Sequence, residues 1–282
     1  MKTHDRTGLV SHSVTLFSLL NRATSIQGWC RERGIRAGNN IAVAVLLGLL
    51  LGTTLPASAQ YDPSLQFSPV ANPNGVWSYG FETVPLGSTF NLFTLPAPVP
   101  ATPGPPIDSW VSAPVGTFLG VFHNGTPLVQ TVLTGASEVS QFNPGMLAMN
   151  AGPNDEYAMV QFTAPVNGIY TIQGTFEGID IATTVSSVYL LKNNIPFATA
   201  SVVGFGPPSD VPLSSGPFLL SPGDTLAYAV GGLTANSMTA LLNAQVSASA
   251  VPEPSMNALL GLALVAVVVR AALARRRKAG IV

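Results

Sequence analysis

Cysteine and histidine are scarce in this chain of 282 residues, and their scarcity excludes several kinds of catalytic and metal site. The one cysteine, Cys30, lies near the N terminus, so the segment from Gln60 to Ala250 has no thiol, no disulfide and no cysteine-based metal site. His123 is the only histidine in that segment, and a catalytic triad would have to use it. We predict instead that His123 ends a strand in front of an Asn124-Gly125 turn.

Positive charge is almost absent from the middle of the chain. Eleven of the twelve lysine and arginine residues lie before Gln60 or after Ala250, which leaves Lys192 against ten acidic residues and a formal charge of −9 between them. Nucleic-acid binding requires clustered basic side chains that neutralise phosphates, so this composition excludes it. The composition also disfavours direct adhesion to acidic polysaccharide or anionic lipid. Neutral sugars, apolar ligands and other proteins are left as partners.

The C-terminal end carries three features in a fixed order. Pro252-Glu253-Pro254 is followed by the apolar run Ala258 to Val269, by Arg270, and by the basic cluster at 275–278. A helix needs about 20 mostly apolar residues to cross a bilayer. The weakly apolar residues 271–274 extend the run toward this length. Arg270 is tolerated within it because its long side chain can reach the membrane interface. Basic residues beside a span stay in the cytoplasm, so we expect the rest of the chain to face outward.

This tail resembles the PEP-CTERM sorting signal of Gram-negative, exopolysaccharide-producing bacteria, in which Pro252, Glu253 and Pro254 would form the signature motif. The resemblance covers only residues 251–282, and it departs from the family pattern at Arg270, which shortens the apolar run. It implies that the C-terminal helix anchors the protein in the inner membrane until exosortase, a membrane protease, removes the tail. The protein would then reach the cell surface or the extracellular matrix.

The N-terminal end has the pattern of a secretory signal. The apolar stretch Ile41 to Leu51 is followed by Ala57-Ser58-Ala59, a small-x-small site typical of signal peptidase cleavage. Basic residues precede the stretch, as the n-region of a signal peptide requires, at positions 2, 6, 22, 31, 33 and 36. We therefore predict a signal peptide over residues 1–59 and a mature chain that begins at Gln60. Because the n-region is long, the signal is either of an extended type or preceded by a start codon assigned too early.

Between these ends the pattern is that of an all-β protein. Short runs rich in Val, Ile, Thr, Tyr and Phe alternate with Gly, Pro, Asn and Asp, without a helical periodicity. Strands are predicted over residues 76–81, 89–94, 117–122, 128–133, 157–163, 168–177, 186–191, 197–203, 216–220, 225–230 and 241–249. This number of short strands predicts a β-sandwich or jelly roll over residues 60–250.

Two connections between these strands are informative. Asn193-Asn194 follows Lys192 between two predicted strands and is typical of a tight hairpin turn, because asparagine tolerates positive φ. Residues 95–106 carry six prolines, which cannot donate to a sheet ladder, so we predict an extended loop or linker there. Such a linker could separate two domains, but we favour one domain.

The body also resembles, less specifically, a jelly-roll domain found in many exported bacterial proteins and similar in outline to carbohydrate-binding modules. The segments that carry the resemblance are 72–80, 152–157, 162–165, 168–170 and 221–226, which read NPNGVWSYG, GPNDEY, FTAP, GIY and SPGDTL. In such modules these segments form turns and framework strands. The resemblance therefore implies a fold and transfers no binding residue.

Four aromatic residues are candidates for ligand binding, because aromatic rings stack on sugar faces: Trp77, Tyr79, Trp110 and Tyr157. Core packing is the alternative for each of them, and we favour it for Trp77, which lies in a strand-like alternation. Trp110 follows the proline-rich segment, and we predict that its ring is exposed.

Two acidic pairs are candidates for a metal or catalytic site, Asp155 with Glu156 and Glu177 with Asp180. Their oxygens suit a structural calcium ion, and two carboxylates also suit glycoside hydrolysis. Solvated turns are the alternative that we favour for both pairs. Apart from this calcium, no cofactor is predicted.

Three functions remain open. The first is a non-enzymatic protein of the surface or matrix, exported, sorted by its tail and binding glycan or other matrix components; signal peptidase and exosortase would process it. The second is a purely structural surface protein without a ligand. The third is a secreted hydrolase, which would need convergent carboxylates in a cleft with perturbed pKa values.

Overall fold

Strands make up most of the residues that the structure, a computed structural model, describes: 58–112, 119–133, 139–182, 184–232 and 238–250, together with Arg270. All of these except Arg270 belong to one compact unit, Pro56–Val251. The predicted signal sequence up to Ala57, the Pro252-Glu253-Pro254 motif and the predicted membrane-spanning run lie outside the described residues. Among the residues that are described, no helix has the length and hydrophobicity needed to cross a membrane.

The strands are, in chain order, β1 (Ser58–Tyr61), β2 (Trp77–Glu82), β3 (Asn91–Leu92), β4 (Leu95–Pro96), β5 (Asp108–Val111), β6 (Gly120–His123), β7 (Gln130–Leu133), β8 (Val139–Phe142), β9 (Leu147–Asn150), β10 (Tyr157–Thr163), β11 (Gly168–Gly178), β12 (Thr184–Lys192), β13 (Ile195–Gly204), β14 (Val211–Ser214), β15 (Phe218–Leu220), β16 (Thr225–Gly232) and β17 (Met238–Ala250). A 3₁₀ turn, Pro207–Ser209, connects β13 and β14. All strand pairs are antiparallel.

Two sheets pack face to face, which confirms the predicted all-β sandwich. The small sheet has six strands in the order β13-β12-β16-β10-β2-β3, and the large sheet has nine, with β14-β11-β17-β9-β6-β5-β4 as its main path. Alternate side chains of both sheets form the core between them, for example Val160, Leu190 and Tyr228 from the small sheet and Ile172 and Val246 from the large one. Such period-two alternation is what a strand buried on one face requires.

The outer face of the large sheet is covered by a third layer. The hairpin of β7 and β8 packs on it with Val132 and Phe142, which contribute to a second apolar cluster with Phe122, Ala148 and Ala240 of the sheet. Both faces of the large sheet are therefore buried over this area. This explains why β9 begins with three consecutive apolar residues, at 147–149, and has every residue buried.

The proline-rich segment lies against the same layer. Its first residues form β4, which pairs with β5 at the edge of the large sheet, and Val99 continues the pairing with Ile107. The Gln130 side chain donates hydrogen bonds to the carbonyl oxygens of Pro103 and Pro105, at 2.9 and 2.6 Å. Prolines are tolerated here because the segment forms a sheet edge, where their missing N–H groups cost no ladder hydrogen bond.

The two ends of the described body lie side by side. β1 pairs with β17 so that Ser58 is opposite Ser249 and Tyr61 is opposite Val246. Ala59, the residue that would precede the predicted signal cleavage, thus lies inside β1. The Tyr61 ring reaches the core, where its centroid is 5.0 Å from that of Phe162.

Every predicted strand has an observed counterpart, and the β10 prediction matches at both ends. The hairpin prediction is also confirmed: β12 ends at Lys192, β13 begins at Ile195, and Asn193 and Asn194 have φ values of 48° and 62°, as a type I′ turn requires. Six strands were not predicted, namely β1, β4, β5, β8, β9 and β14. All six have four residues or fewer.

Candidate functional site

The outer face of the small sheet is the best candidate for a functional surface. The strand registers place its outward side chains in rows, and the first row contains Glu82, Tyr157, Gly231, Ser187 and Ser201 on β2, β10, β16, β12 and β13. A second row runs from Gly80 through Met159, Ala229 and Tyr189 to Thr199. We call Tyr157 and Tyr189, with the hydroxyl residues Ser187, Thr199 and Ser201, the tyrosine face.

Tyr157 lies flat on the sheet because its neighbour is a glycine. A Cβ atom added at Gly231 would be 2.3 Å from the Cε1 atom of the Tyr157 ring, far inside van der Waals contact. Any other residue at 231 would therefore have to displace the ring. Gly231 leaves a shallow depression across β16, and the half-exposed ring of Tyr157 fills this depression.

Tyr189 completes an aromatic pair with Tyr157. The two ring centroids are 5.7 Å apart and the planes meet at 81°, an edge-to-face contact of the kind that aromatic pairs prefer. Burial raises the pKa of Tyr157, and the neighbouring Tyr189 and Asp155 and a hydrogen bond to the Tyr189 side chain raise it as well. Both rings are half-exposed and pack on a small apolar floor, which consists of Met159, Leu191, Ala227 and Ala229.

The loop between β2 and β3 forms a wall beside this pair. Leu86 and Phe90 of the loop cover the floor from one side. Glu82 holds the loop, because its Oε2 atom accepts a hydrogen bond of 2.7 Å from the Gly87 N–H, while its other oxygen is buried without a partner. Burial raises the pKa of Glu82, against the opposing effect of hydrogen bonds from backbone N–H groups of the loop.

The open part of the tyrosine face is neutral and rich in hydroxyl groups. Thr199 and Ser201 are exposed, and Ser187 is half-exposed next to Ser201. Two aromatic rings with three aliphatic hydroxyls offer stacking and hydrogen bonds together, and none of these five side chains carries a charge at neutral pH. This combination suits an uncharged ligand that presents both apolar faces and hydroxyl groups.

Three of the four predicted aromatic candidates lie in the core and cannot offer a ring face to a ligand. Trp77 and Tyr79 are fully buried, as the packing alternative for Trp77 predicted. The prediction that Trp110 is exposed is wrong, since its ring is 5% exposed and its Nε1–H donates to the carbonyl oxygen of Ser68 at 2.7 Å. Segment 62–68 packs over this part of the core, and Pro63 accepts the hydrogen bond of the Tyr79 hydroxyl. Tyr157 alone remains half-exposed.

The first acidic pair forms part of a turn. Asp155 is exposed with a φ of 62°, and Glu156 accepts hydrogen bonds from the backbone and side-chain nitrogens of Asn154 at 2.9 and 3.0 Å. Burial raises the pKa of Glu156, but these hydrogen bonds outweigh it and hold the pKa below its usual value.

The second acidic pair is buried. Asp180 accepts hydrogen bonds from the Ser140 hydroxyl and from the Met238 N–H, so it joins β8 to β17. Burial, the charge of Asp210 and a hydrogen bond between the two carboxyl groups together raise the pKa of Glu177 to about 7. Within the described ranges, no three His, Cys, Asp or Glu side chains are grouped as a metal site would require.

His123 ends β6, as predicted, and the side chain of Asn124 organises the following turn by accepting hydrogen bonds from Thr126. The imidazole stacks on Phe67 with centroids 4.8 Å apart. Burial lowers the His123 pKa, whereas the charges of Asp108 and Asp62 raise it. The ring therefore has a packing role in the structure.

A recess lies beside β17 near Asn243, where the pairing of β17 with β11 shifts its register. It has a volume of about 300 Å³ and is lined by Asp62, Asn143, Met146 and Asn243 among others. Asp62 is already engaged there, since its Oδ1 atom accepts hydrogen bonds from the backbone and hydroxyl of Ser64 at 2.8 and 2.7 Å. The lining contains no aromatic ring, so this recess lacks the stacking surface that the tyrosine face offers.

Sequence reasoning missed Tyr189 and the three hydroxyl residues. The alternation of Ser187, Tyr189 and Leu191 within a predicted strand was the available signal, because it places them on one face. Their proximity to Tyr157 depends on β16 lying between β10 and β12. That strand order is not readable from the sequence.

No protein-family model and no curated protein matches the chain. Similar solved structures include a CBM4 module (10% identity over 48% of this chain and 90% of that one, TM-score 0.28). They also include the CBM22-1 xylan-binding domain from Paenibacillus barcinonensis Xyn10C (13%, 49% and 86%, TM-score 0.28) and a cyclase from Fischerella sp. TAU (12%, 71% and 89%, TM-score 0.28). At TM-scores this far below 0.5, none of these likenesses assigns a family or a function to the chain.

Proposed function

We propose that this protein is an exported, non-enzymatic component of the cell surface or extracellular matrix whose tyrosine face binds neutral carbohydrate. The observation that carries the proposal is the half-exposed Tyr157 and Tyr189 pair with Ser187, Thr199 and Ser201 beside it. A pyranose ring has an apolar face that stacks on an aromatic ring and equatorial hydroxyls that hydrogen-bond to such side chains.

Charge supports a neutral glycan over an acidic one. The segment Gln60 to Ala250 has one lysine against ten acidic residues, and Lys192 lies at the far end of β12 from Ser187. An acidic polysaccharide would meet net repulsion without a cluster of cations to offset it. A neutral sugar avoids this repulsion.

Export and sorting form the second part of the proposal. Its support is the sequence: a basic and apolar N-terminal segment that ends at Ala57-Ser58-Ala59, and a tail with Pro252-Glu253-Pro254, an apolar run and a basic cluster. The intact mass of the protein isolated from its cells tests this part. We expect a chain that begins at Gln60 and has lost the tail; a full-length mass would contradict it.

Hydrolysis is the alternative for which a specific feature exists, the Glu177 and Asp210 pair with its raised pKa. The proximity of Asp210, which contributes to the raised pKa of Glu177, argues against a glycosidase. Glycosidases hold their carboxyl groups about 5 Å or more apart to leave room for the sugar or water. Glu177 is also buried on the large sheet, away from the tyrosine face.

Binding to a panel of neutral and acidic polysaccharides tests the glycan proposal. We expect binding to at least one neutral glycan, and a loss of about fivefold in affinity for Tyr189→Ala, because one aromatic stacking contact contributes about 1 kcal/mol. Phe205→Ala is the matched control, since Phe205 is an exposed aromatic residue outside the face. Equal affinities of Tyr189→Ala and the unmodified protein would refute a role for the tyrosine face.

A further inference from the structure

One free edge of the sandwich is long and unprotected. β13 is the last strand of the small sheet and has ten residues, and no described strand pairs with its outer side. Its backbone N–H and C=O groups on that side therefore point away from the sheet. Such groups are a template on which another strand can pair.

The other sheet edges are blunted. β3 and β4 have two residues each, β15 has three, and β1 and β14 have four, with prolines in β4 and β14 at Pro96 and Pro212. Short strands and prolines are the devices by which proteins prevent edge-to-edge pairing. In β13 the one proline is Pro196, at the second position, and residues 197–204 contain none.

The β13 edge is also apolar and uncharged. Four large hydrophobic residues are exposed between positions 195 and 205, namely Ile195 (70% exposed), Phe197 (38%), Val203 (61%) and Phe205 (38%). No charged residue occurs from 195 to 209. On a body with a formal charge of −9, this is a long neutral surface where a like-charged partner would meet no local repulsion.

From these features we infer that β13 pairs with β13 of a second copy of this chain, antiparallel and around a two-fold axis. Two charged sites favour the second copy over an unrelated strand. Lys192 lies at one end of the strand, across the hairpin from Ile195, and the Glu177 and Asp210 pair lies at the other end, where Gly178 contacts Gly204. Antiparallel pairing directs Lys192 of each copy to the acidic end of the other.

The pairing joins two six-stranded sheets into one sheet of twelve strands. Thr199 and Ser201 of both copies then lie along the junction, because these side chains face outward in the same rows as Tyr189 and Ser187. Both tyrosine faces consequently lie on the same side of the joined sheet. The pairing itself depends only on the edge strand and holds whether or not the face binds a glycan.

Cysteine cross-linking of the full-length chain tests the pairing, because the chain contains one cysteine that can be removed as Cys30→Ser. Single cysteines are placed at Thr199, Ala200 and Ser201, and the variants are oxidised alone and in mixed pairs. Antiparallel partners have Cα atoms about 4.5–5.5 Å apart, within the range that a disulfide spans. We expect a covalent dimer in at least one combination, and none for Ser221→Cys, an exposed residue elsewhere.

A second variant distinguishes pairing from random collision. Thr199→Lys places like charges near the two-fold axis, so we expect the mass measured by light scattering in detergent to fall from dimer to monomer. Thr94→Lys, an exposed position away from β13, is the matched control and should stay dimeric. A monomeric unmodified chain, or cross-linking no greater than that of Ser221→Cys, would overturn the inference.

Discussion

The two outer faces of the sandwich differ in how far other parts of the chain cover them. The β7 and β8 hairpin and the proline-rich segment cover the outer face of the large sheet. Phe142 of β8 packs against this face and is completely buried. The small sheet has only the loop from 83 to 90 over part of its outer face, and beyond that loop the two tyrosines and three hydroxyl residues remain open. The comparison indicates that one face contributes to stability and the other is available for contact.

Truncating one aromatic side chain on each face gives the sharpest test of this difference. Phe142→Ala should reduce the free energy of unfolding by about 3–5 kcal/mol, because it leaves a cavity under the hairpin. Tyr189→Ala on the open face should cost about 1 kcal/mol, since water already reaches the ring. Chemical denaturation measures both, and losses of equal size would remove the distinction between the faces.

A pH series tests the contribution of Glu177, which is buried on the large sheet, to stability. The pKa of Glu177 is raised to about 7 in the folded state, so its stabilising contribution is fully present below pH 4.5 and is lost as the pH rises through 7. We expect the part of the unfolding free energy due to Glu177 to fall by about 2 kcal/mol between pH 5 and pH 8.

The variant Glu177→Gln separates this effect from general titration. The amide does not ionise beside Asp210, so the decline between pH 5 and pH 8 should become shallower and the protein should be more stable at pH 8. Thermal unfolding at several pH values provides the measurement. A curve for Glu177→Gln parallel to that of the unmodified protein would show that the carboxyl pair has no such role.

The smallest expected effect concerns the open face. Gly231→Ala introduces a methyl group into the space of the Tyr157 ring, and the ring can swing toward solvent, so we expect a stability loss of about 1 kcal/mol. Affinity for a neutral glycan should fall more than stability does, because the aromatic pair loses its arrangement. Gly216→Ala, where an added Cβ meets nothing within 4 Å, is the control.

Sequence reasoning was most successful where local pattern and packing agree. β10 alternates between core and outer face along its whole length, so its limits were predicted correctly. β9 is buried on both faces and shows no alternation, and β4 contains a proline, so neither has the pattern that identifies a strand.

The candidate site was predicted only in part, for a different reason. Trp110 follows a run of prolines that suggests a loop, yet its indole is buried by a segment 42 residues earlier in the chain. Tyr189 and Tyr157 meet only because a strand from much later in the sequence lies between theirs. Such relations depend on strand order, which local patterns do not contain.

The pairing of β1 with β17 has a mechanical consequence. Ser58, at the start of the described body, is opposite Ser249, so both ends of the body leave from one end of a two-stranded ribbon. Force that pulls these ends apart loads the hydrogen bonds of the pair one after another instead of all together. The pairing of β1 with β17 therefore opens by unzipping, and the same force also loads the pairing of β17 with β11, where Ala250 is opposite Gly168.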